Sequence, residues 1–320
     1  MTSMTGESAA FEQYRNTAGE RTTLPRLIAG TALVVVLWIA FTFVVIAAGT
    51  WLYIRAGNTD AGPHGFMNSF MASPAGVLCA LASFAGIWIG VWAAQHFVHR
   101  EPLAALIGNS RRIAWNGFAK GLAAVALTSL LTEIAIYLLY PGMERGGIGL
   151  SSWLLFLAPI LLLASLQTSS EELLFRGYLT RGLARRFRSP LVWGLLPLLA
   201  FTAMHWSASS SAAINASILV SIGAFALLLT LLVHRTGNLG AAFGAHLGNN
   251  LFGFLLISHQ ESYNAFALLV ARPLEGPGWT GLDAFVMAVI GVAACALTGL
   301  LLLHPRSPLC VKPDLGRGGA

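Results

Sequence analysis

Long apolar runs joined by short connections dominate this sequence, and they limit what it can fold into. A helix needs about 20 apolar residues to cross the roughly 30 Å hydrocarbon core of a bilayer, and eight runs reach or approach that length. The predicted spans are 27–54, 75–98, 117–140, 151–174, 191–208, 212–233, 239–258 and 282–303. With 56% hydrophobic and 10% charged residues, an ordinary soluble domain is excluded. The sequence predicts an all-α, polytopic bundle of transmembrane helices.

Lysine and arginine are concentrated in alternate connections between these spans. The N-terminal segment and the connections after the second, fourth and eighth spans carry three or more each, and the connection after the sixth carries Arg235, whereas the intervening connections carry at most one each. Because positively charged loops stay in the cytoplasm, we expect both termini there. We predict a polar N-terminal segment at 1–26, an integral membrane domain at 27–304 with a motif-bearing core at 150–258, and a cytoplasmic tail without fixed structure at 305–320.

The net charge of +6 is spread over these short loops instead of forming one basic soluble face. The lipid bilayer, and not nucleic acid, is therefore the expected partner. We predict an integral, multi-pass membrane protein, located in the cell membrane if its source is bacterial.

The segment from Arg176 to Arg188 admits two interpretations. Apolar residues recur in it at every fourth position, which favours a helix lying at the inner interface, with Arg181, Arg185 and Arg188 facing anionic lipid. The alternative is a basic loop that only sets the topology.

Two adjacent carboxylates at the end of the fourth span are the strongest functional signal. The whole chain has 13 acidic residues, and Glu171 and Glu172 stand side by side after an apolar run. A charge within a membrane helix costs roughly 2.5–3.5 kcal/mol on insertion scales, so such a residue indicates function. Arg176 follows Glu172 by four residues, the favourable order for an ion pair. Arg176 can hold one carboxylate and leave the other free for chemistry or for metal.

Two further pairs that contain polar residues lie in the predicted spans at the same spacing. His205 follows Phe201 by four residues, and Asn250 follows His246 by four, so each pair shares a helix face. Carboxylates and imidazoles can activate water or bind a divalent metal, and histidine and asparagine donors can stabilise an oxyanion. Each feature alone has another explanation, as a proton relay, a packing histidine or an interhelical hydrogen bond.

Taken together, the motifs resemble those of the CAAX prenyl protease and bacteriocin-processing (CPBP, or Abi) family of intramembrane metalloproteases. That family is marked by E-E-x-x-x-R, F-x-x-x-H and H-x-x-x-N in this order. Here the motifs read Glu171 to Arg176, Phe201 to His205 and His246 to Asn250. The resemblance covers about a third of the chain, from about 150 to 258.

This resemblance implies an endopeptidase that cuts a membrane-associated, lipidated or leader-bearing peptide or protein. Glu171 would act as general base on the attacking water, and His205 would share that activation. Glu172 and Arg176 would hold the surroundings of the first carboxylate. The third motif, His246 with Asn250, would supply the donors that stabilise the oxyanion.

The resemblance also implies a divalent metal, commonly zinc, for which Glu171, His205 and His246 are the candidate ligands.

Two other functions remain open. The Glu pair could serve an ion-coupled transporter, although no repeated halves of the kind found in many transporters are visible. The chain could also be a non-catalytic scaffold of the same family.

The predicted span boundaries place the motifs at unequal depths. Glu171 lies near the cytoplasmic end of the fourth span, whereas His246 lies about 10 Å and His205 about 20 Å from that side. Convergence on one site requires tilted helices, a fifth helix that begins deeper than Leu191, or different span boundaries.

Overall fold

The computed structural model describes residues 6–58, 63–260, 263–274 and 278–316, and these residues are mainly helical. The α-helices are α1 (Gly6–Asn16), α2 (Leu24–Arg55), α3 (Pro63–Ala72), α4 (Pro74–Ser83), α5 (Ala85–Ala93), α6 (Trp115–Leu139), α7 (Leu150–Glu172), α8 (Arg181–Arg186), α9 (Leu196–Ala203), α10 (Ala212–Thr236), α11 (Gly240–Leu251) and α12 (Gly281–Leu303). π-Helical turns cover Ala94–His99, Leu173–Thr180, Leu191–Leu195 and Phe252–Leu256, and a 3₁₀ turn covers Leu103–Leu106. The two-residue strands β1 (Glu144–Arg145), β2 (Ile257–Ser258) and β3 (Leu269–Val270) form a small sheet in the order β1-β3-β2.

Six helical runs among the described residues are long and apolar enough to cross a membrane. They are Leu24–Arg55, Pro74–His99, Trp115–Leu139, Leu150–Arg186, Ala212–Thr236 and Gly281–Leu303. Many of their large apolar side chains are exposed, Phe43 and Leu138 each by 75%, as expected where lipid is the neighbour. The predicted all-α membrane bundle and the integral, multi-pass location are confirmed.

The fifth and seventh predicted spans are shorter helices. The fifth is Leu191–Ala203, and the seventh consists of α11 and the π-turn that follows it. The fifth nevertheless runs alongside α10, since Trp193 stacks on His234 near one end of α10 and Ser207 hydrogen-bonds Asn215 near the other. The number of eight crossings stays a prediction.

The fourth helical run continues to Arg186, about three turns beyond its predicted end at 174. The segment after Arg176 is helical as far as Arg186, as one of the two interpretations predicted, but it continues the fourth run instead of forming a separate helix. The prediction that Arg181 faces lipid is wrong. Arg181 is 1% exposed, and its Nη2 lies 2.5 Å from Glu101 Oε2, so it does not face lipid. The helix can continue because the partly buried carboxylate of Glu101 compensates the charge of this arginine.

The N-terminal segment folds against the same face of the bundle. Tyr14 is fully buried, and its hydroxyl donates to the Leu106 carbonyl at 2.6 Å. Phe11 packs on Trp193, with ring centroids 4.7 Å apart. Helix α1 is therefore part of the packed structure.

The C-terminal tail is also ordered as far as Gly316, so the expectation of a tail without fixed structure is wrong for that part. The Asp314 carboxylate accepts hydrogen bonds from the Ser110 N–H at 3.0 Å and from Asn238 Nδ2 at 2.7 Å. Asn109 Nδ2 donates to the carbonyls of both Ala10 and Asp314. Ala10 and Asp314 therefore lie on one face of the bundle. The cytoplasmic location of both termini stays a prediction.

Helix α11 is buried inside the bundle and packs closely along α6. A Cβ at Gly244 would clash with the Phe118 carbonyl, and one at Gly121 would clash with the Ala241 carbonyl. Glycine at these contacts lets the two helix backbones approach closely, as is typical of membrane helices. This packing brings His246 into the interior, where it is 4% exposed.

Candidate active site

The extension of the fourth helix brings the first and third motifs to one depth. A Cβ at Gly177 would lie 3.3 Å from Leu239, the residue just before α11. Glu171 lies six residues from Gly177, about 9 Å, and His246 lies seven residues from Leu239, about 10 Å, at 1.5 Å per residue. The unequal depths inferred from the sequence arose from the wrong helix end at 174.

His246 lies between the two adjacent carboxylates. Its Nε2 is 3.3 Å from Glu171 Oε2, and its Nδ1 is 2.9 Å from Glu172 Oε1. Glu171 and Glu172 are 6% and 0% exposed, so water competes little for these contacts. One imidazole therefore joins α11 to both carboxylates of α7.

Arg176 forms the predicted ion pair. Its Nη1 lies 2.8 Å from Glu172 Oε1, and its Nη2 donates to the Ala226 carbonyl of α10 at 3.2 Å. The guanidinium also lies over the ring of Phe201, 4.6 Å from the centroid. Cation–π contact, ion pair and backbone hydrogen bond together fix a charge that would be costly if unpaired.

A π-helical turn, Leu173–Thr180, follows the carboxylates directly. The Thr180 hydroxyl donates to the carbonyl of Phe175, five residues earlier, at 2.9 Å. Such wide turns within α-helices are frequent at functional sites. Here the turn contains Arg176 itself.

His205 lies in the turn after α9 and reaches the site through Phe201. Its Nδ1 is 2.9 Å from the Phe201 carbonyl, a contact that suits Nδ1–H as donor and leaves Nε2 as an acceptor. The Phe201 ring lies between the two histidines, 4.9 Å from His205 and 5.9 Å from His246. Within the described part of the chain, no hydrogen bond joins His205 to Glu171.

Asn250 joins the site through Gln167, a residue that the sequence analysis missed. Asn250 Nδ2 donates to Gln167 Oε1 at 3.3 Å, and the Gln167 amide lies within hydrogen-bonding reach of Glu171. Gln167 precedes Glu171 by four residues, so it shares the same helix face. An amide at that spacing from a buried carboxylate was the signal that could have found it.

The predicted metal ligands do not form a three-ligand set in this arrangement. Across residues 6–58, 63–260, 263–274 and 278–316, no three His, Cys, Asp or Glu side chains are grouped so that they could hold a metal ion. Glu171 and His246 face each other, but His205 is turned to Phe201. A zinc site of three protein ligands does not fit these residues as they stand.

Fold and site together define a class: a polytopic membrane protein with a buried carboxylate–imidazole centre inside its helical bundle. Residues 150–252 match the profile of the family described as type II CAAX prenyl endopeptidase Rce1-like. The chain is also similar to YyaK of Bacillus subtilis (strain 168), an uncharacterized protein. The two are 28% identical over 224 residues, which cover 68% of this chain and 72% of YyaK.

The matched region contains all three motifs, which confirms the resemblance seen in the sequence. The match supports membership of the CPBP family for this part of the chain. Membership supports an intramembrane, CAAX-type protease activity in general terms.

Proposed function

We propose that this protein is an endopeptidase that hydrolyses a peptide bond in a membrane-associated peptide or protein, with water activated by Glu171 and histidine. The observation that carries the proposal is the unequal pairing of the two carboxylates. Arg176 neutralises Glu172, whereas Glu171 faces an imidazole and an amide. A carboxylate that no arginine neutralises can accept a proton more readily than one in an ion pair with arginine.

In the proposed reaction, Glu171 takes a proton from water as the water oxygen attacks the peptide carbonyl carbon. The free Nε2 of His205 accepts a hydrogen bond from the same water and orients it. The carbonyl oxygen becomes an oxyanion in the tetrahedral intermediate. When the C–N bond breaks, Glu171 returns the proton to the leaving amine, so the carboxylate is regenerated.

Asn250 and His246 supply the donors to the oxyanion in this proposal. Asn250 Nδ2 makes one hydrogen bond, to Gln167, and an amide nitrogen has a second hydrogen to give. His246 is held by Glu172 at Nδ1, and its Nε2 contact with Glu171 is long enough, at 3.3 Å, for a substrate oxygen to replace it. Removal of one such donor costs about 10²–10³ in kcat in a known protease.

The substrate class follows from the membrane setting and the family. The site is enclosed by helices whose outer faces are apolar, so a peptide tethered to the bilayer by a lipid or an apolar leader reaches it most directly. A divalent metal stays a proposal with Glu171, His205 and His246 as candidate donors, of which only Glu171 and His246 face each other. When bound, it would supply Lewis-acid chemistry at the scissile carbonyl.

The test is cleavage of a membrane-tethered peptide library by the purified protein in liposomes. We expect the wild type to cut, and Glu171→Gln to lose about 10²–10⁴ in rate, the range for a positioned base. His246→Ala should lose activity too. A chelator arm then reports whether a metal is required.

Glu133→Gln is the matched control, because Glu133 is also a membrane carboxylate bonded to a histidine, His259, at 2.9 Å. It should leave cleavage unchanged. If the wild type were inert and ion flux depended on Glu171, an ion-coupled transporter would replace the peptidase. If neither activity were present, a scaffold would remain.

A further inference from the structure

Three side-chain amides form a chain from the surface of α11 to the proposed base. Asn249, which is exposed, donates from Nδ2 to Asn250 Oδ1 at 3.2 Å. Asn250 donates from Nδ2 to Gln167 Oε1 at 3.3 Å, and the Gln167 amide reaches Glu171. The inference drawn from this chain rests on the proposed function.

The two orientations of an asparagine amide have nearly the same shape but opposite chemistry. Rotation by half a turn exchanges the NH₂ donor for the carbonyl acceptor. An oxyanion is stabilised by a donor and repelled by a carbonyl oxygen. The role proposed for Asn250 therefore depends on which end of its amide points toward Glu171.

Both neighbours of Asn250 favour the orientation with NH₂ on the Glu171 side. Asn249 presents a donor to Oδ1, and Gln167 presents an acceptor to Nδ2. After rotation, two oxygens would face each other at Gln167 and two NH₂ groups at Asn249. Each contact would then oppose like partial charges and leave polar groups unpaired.

Gln167 precedes Glu171 by one helical turn on the same face of α7, and its NH₂ is the end left for that carboxylate because its Oε1 accepts from Asn250. A carboxylate accepts hydrogen bonds, so it attracts the NH₂ end of the glutamine and turns Oε1 toward Asn250. Glu171 thus favours one orientation of the Gln167 amide, and Gln167 favours one orientation of the Asn250 amide. Base and oxyanion donor are linked through one glutamine on the face of α7.

We propose that Gln167 and Asn249 are positioning residues that hold the Asn250 amide with its NH₂ toward the place where the oxyanion forms. They act through Asn250 and do not touch the reacting atoms. Their loss should lower kcat and leave KM nearly unchanged, because the donor is needed in the transition state and not for ground-state binding.

A double-mutant cycle with Asn250→Ala tests this. Gln167→Met removes the acceptor and keeps the side-chain length, and we expect kcat to fall about tenfold, a part of the 10²–10³ for a whole donor. In the Asn250→Ala background the same substitution should cause no further loss, since there is no amide left to orient. Asn249→Ala, at an exposed position, should behave in the same way with a smaller loss.

Gln260→Met, at an exposed site on the loop after β2, is the control for a change of glutamine to methionine. An equal loss of kcat in both backgrounds would show a structural role and overturn the inference, as would no loss in the wild-type background. If Gln167→Met fails to fold, the kcat of Asn249→Ala in the two backgrounds tests the inference in the same way. A wild type that cleaves nothing would instead remove the proposed function, and this inference with it.

Discussion

At the scale of single residues, the site is organised by Arg176. Its guanidinium is 2% exposed and carries a full charge into the middle of the bundle. The ion pair with Glu172, the Phe201 ring and the Ala226 carbonyl surround it. Removal of one partner from such a pair leaves the other charged and buried, which is the costly case.

We therefore expect Glu172→Gln and Arg176→Met each to lower the free energy of unfolding by about 3–5 kcal/mol. The double variant should lose less than the sum, because no unpaired charge remains. Thermal or denaturant unfolding in detergent measures these differences. In the pair Glu12–Arg15, 3.1 Å apart, the Glu12 side chain is 43% exposed, so Glu12→Gln should cost only about 0–1 kcal/mol. Equal losses in the two pairs would contradict the assignment.

The sequence could predict the local contacts of the site and not the distant ones. The pairing of Glu172 with Arg176 follows from four-residue spacing on one helix. The contact between Asn250 and Gln167 spans 83 positions, and only the packing of α11 against its neighbours brings the two amides together. Resemblance to a family supplied the three motifs, but it gave no reason to consider Gln167.

At the scale of elements, the fourth helical run is the part that the sequence analysis described least well. Its end was placed at 174 because the apolar run stops there, yet the helix continues through buried arginines to Arg186. A charge pattern alone does not show whether an arginine faces lipid or an acid from another part of the chain. Glu101, 80 positions away, decides the matter for Arg181.

The Glu101 carboxylate ties this helix end to the N-terminal segment. It accepts hydrogen bonds from the Gly19 N–H at 2.7 Å and from the Thr22 hydroxyl at 3.2 Å. Burial alone would raise the pKa of the Glu101 carboxyl, but the charge and hydrogen bond of Arg181 and these two donors outweigh burial. The pKa of Glu101 therefore lies below its ordinary value.

A carboxyl with a lowered pKa stabilises the fold while it is ionised. This contribution is complete above the ordinary glutamate pKa of about 4.3 and is lost as the pH falls through the lowered value. We expect Glu101→Gln to lower the Tm at neutral pH, and the difference from the wild type to shrink in acid. Unfolding curves across this pH range measure it. A difference that does not depend on pH would indicate that the ionised form of Glu101 is not what stabilises the helix end.

At the scale of the whole molecule, composition alone was enough to predict the class of fold. The apolar runs and the alternation of charge predicted a membrane bundle, and six of the eight runs are helices of spanning length. The two ends were assigned less accurately. Residues such as Tyr14 and Asp314 look like parts of polar tails in the sequence, but partners on the short loops bury or bind them.

The segment predicted as the fifth span is shorter than the hydrocarbon core of an ordinary bilayer. Its helical part, Leu191–Ala203, is only about 20 Å long at 1.5 Å per residue, and residues 204–211 continue as turns and irregular backbone. Backbone without internal hydrogen bonds is tolerated at membrane depth only beside protein or water. We expect the bilayer to be thinner on this side of the protein, where the helical part is short.

This hydrophobic mismatch makes membrane thickness a variable of the proposed reaction. A thinner bilayer relieves the mismatch at a fraction of a kcal/mol per Å, and it admits water, the second substrate of a hydrolase, toward His205. We expect cleavage to be faster in vesicles of dimyristoyl than of dierucoyl phosphatidylcholine, with Glu171→Gln inactive in both. A rate independent of acyl length would show that water arrives by another path. A rate that falls as the acyl chains lengthen would mean that the lipid composition of the membrane controls the rate of the proposed cleavage.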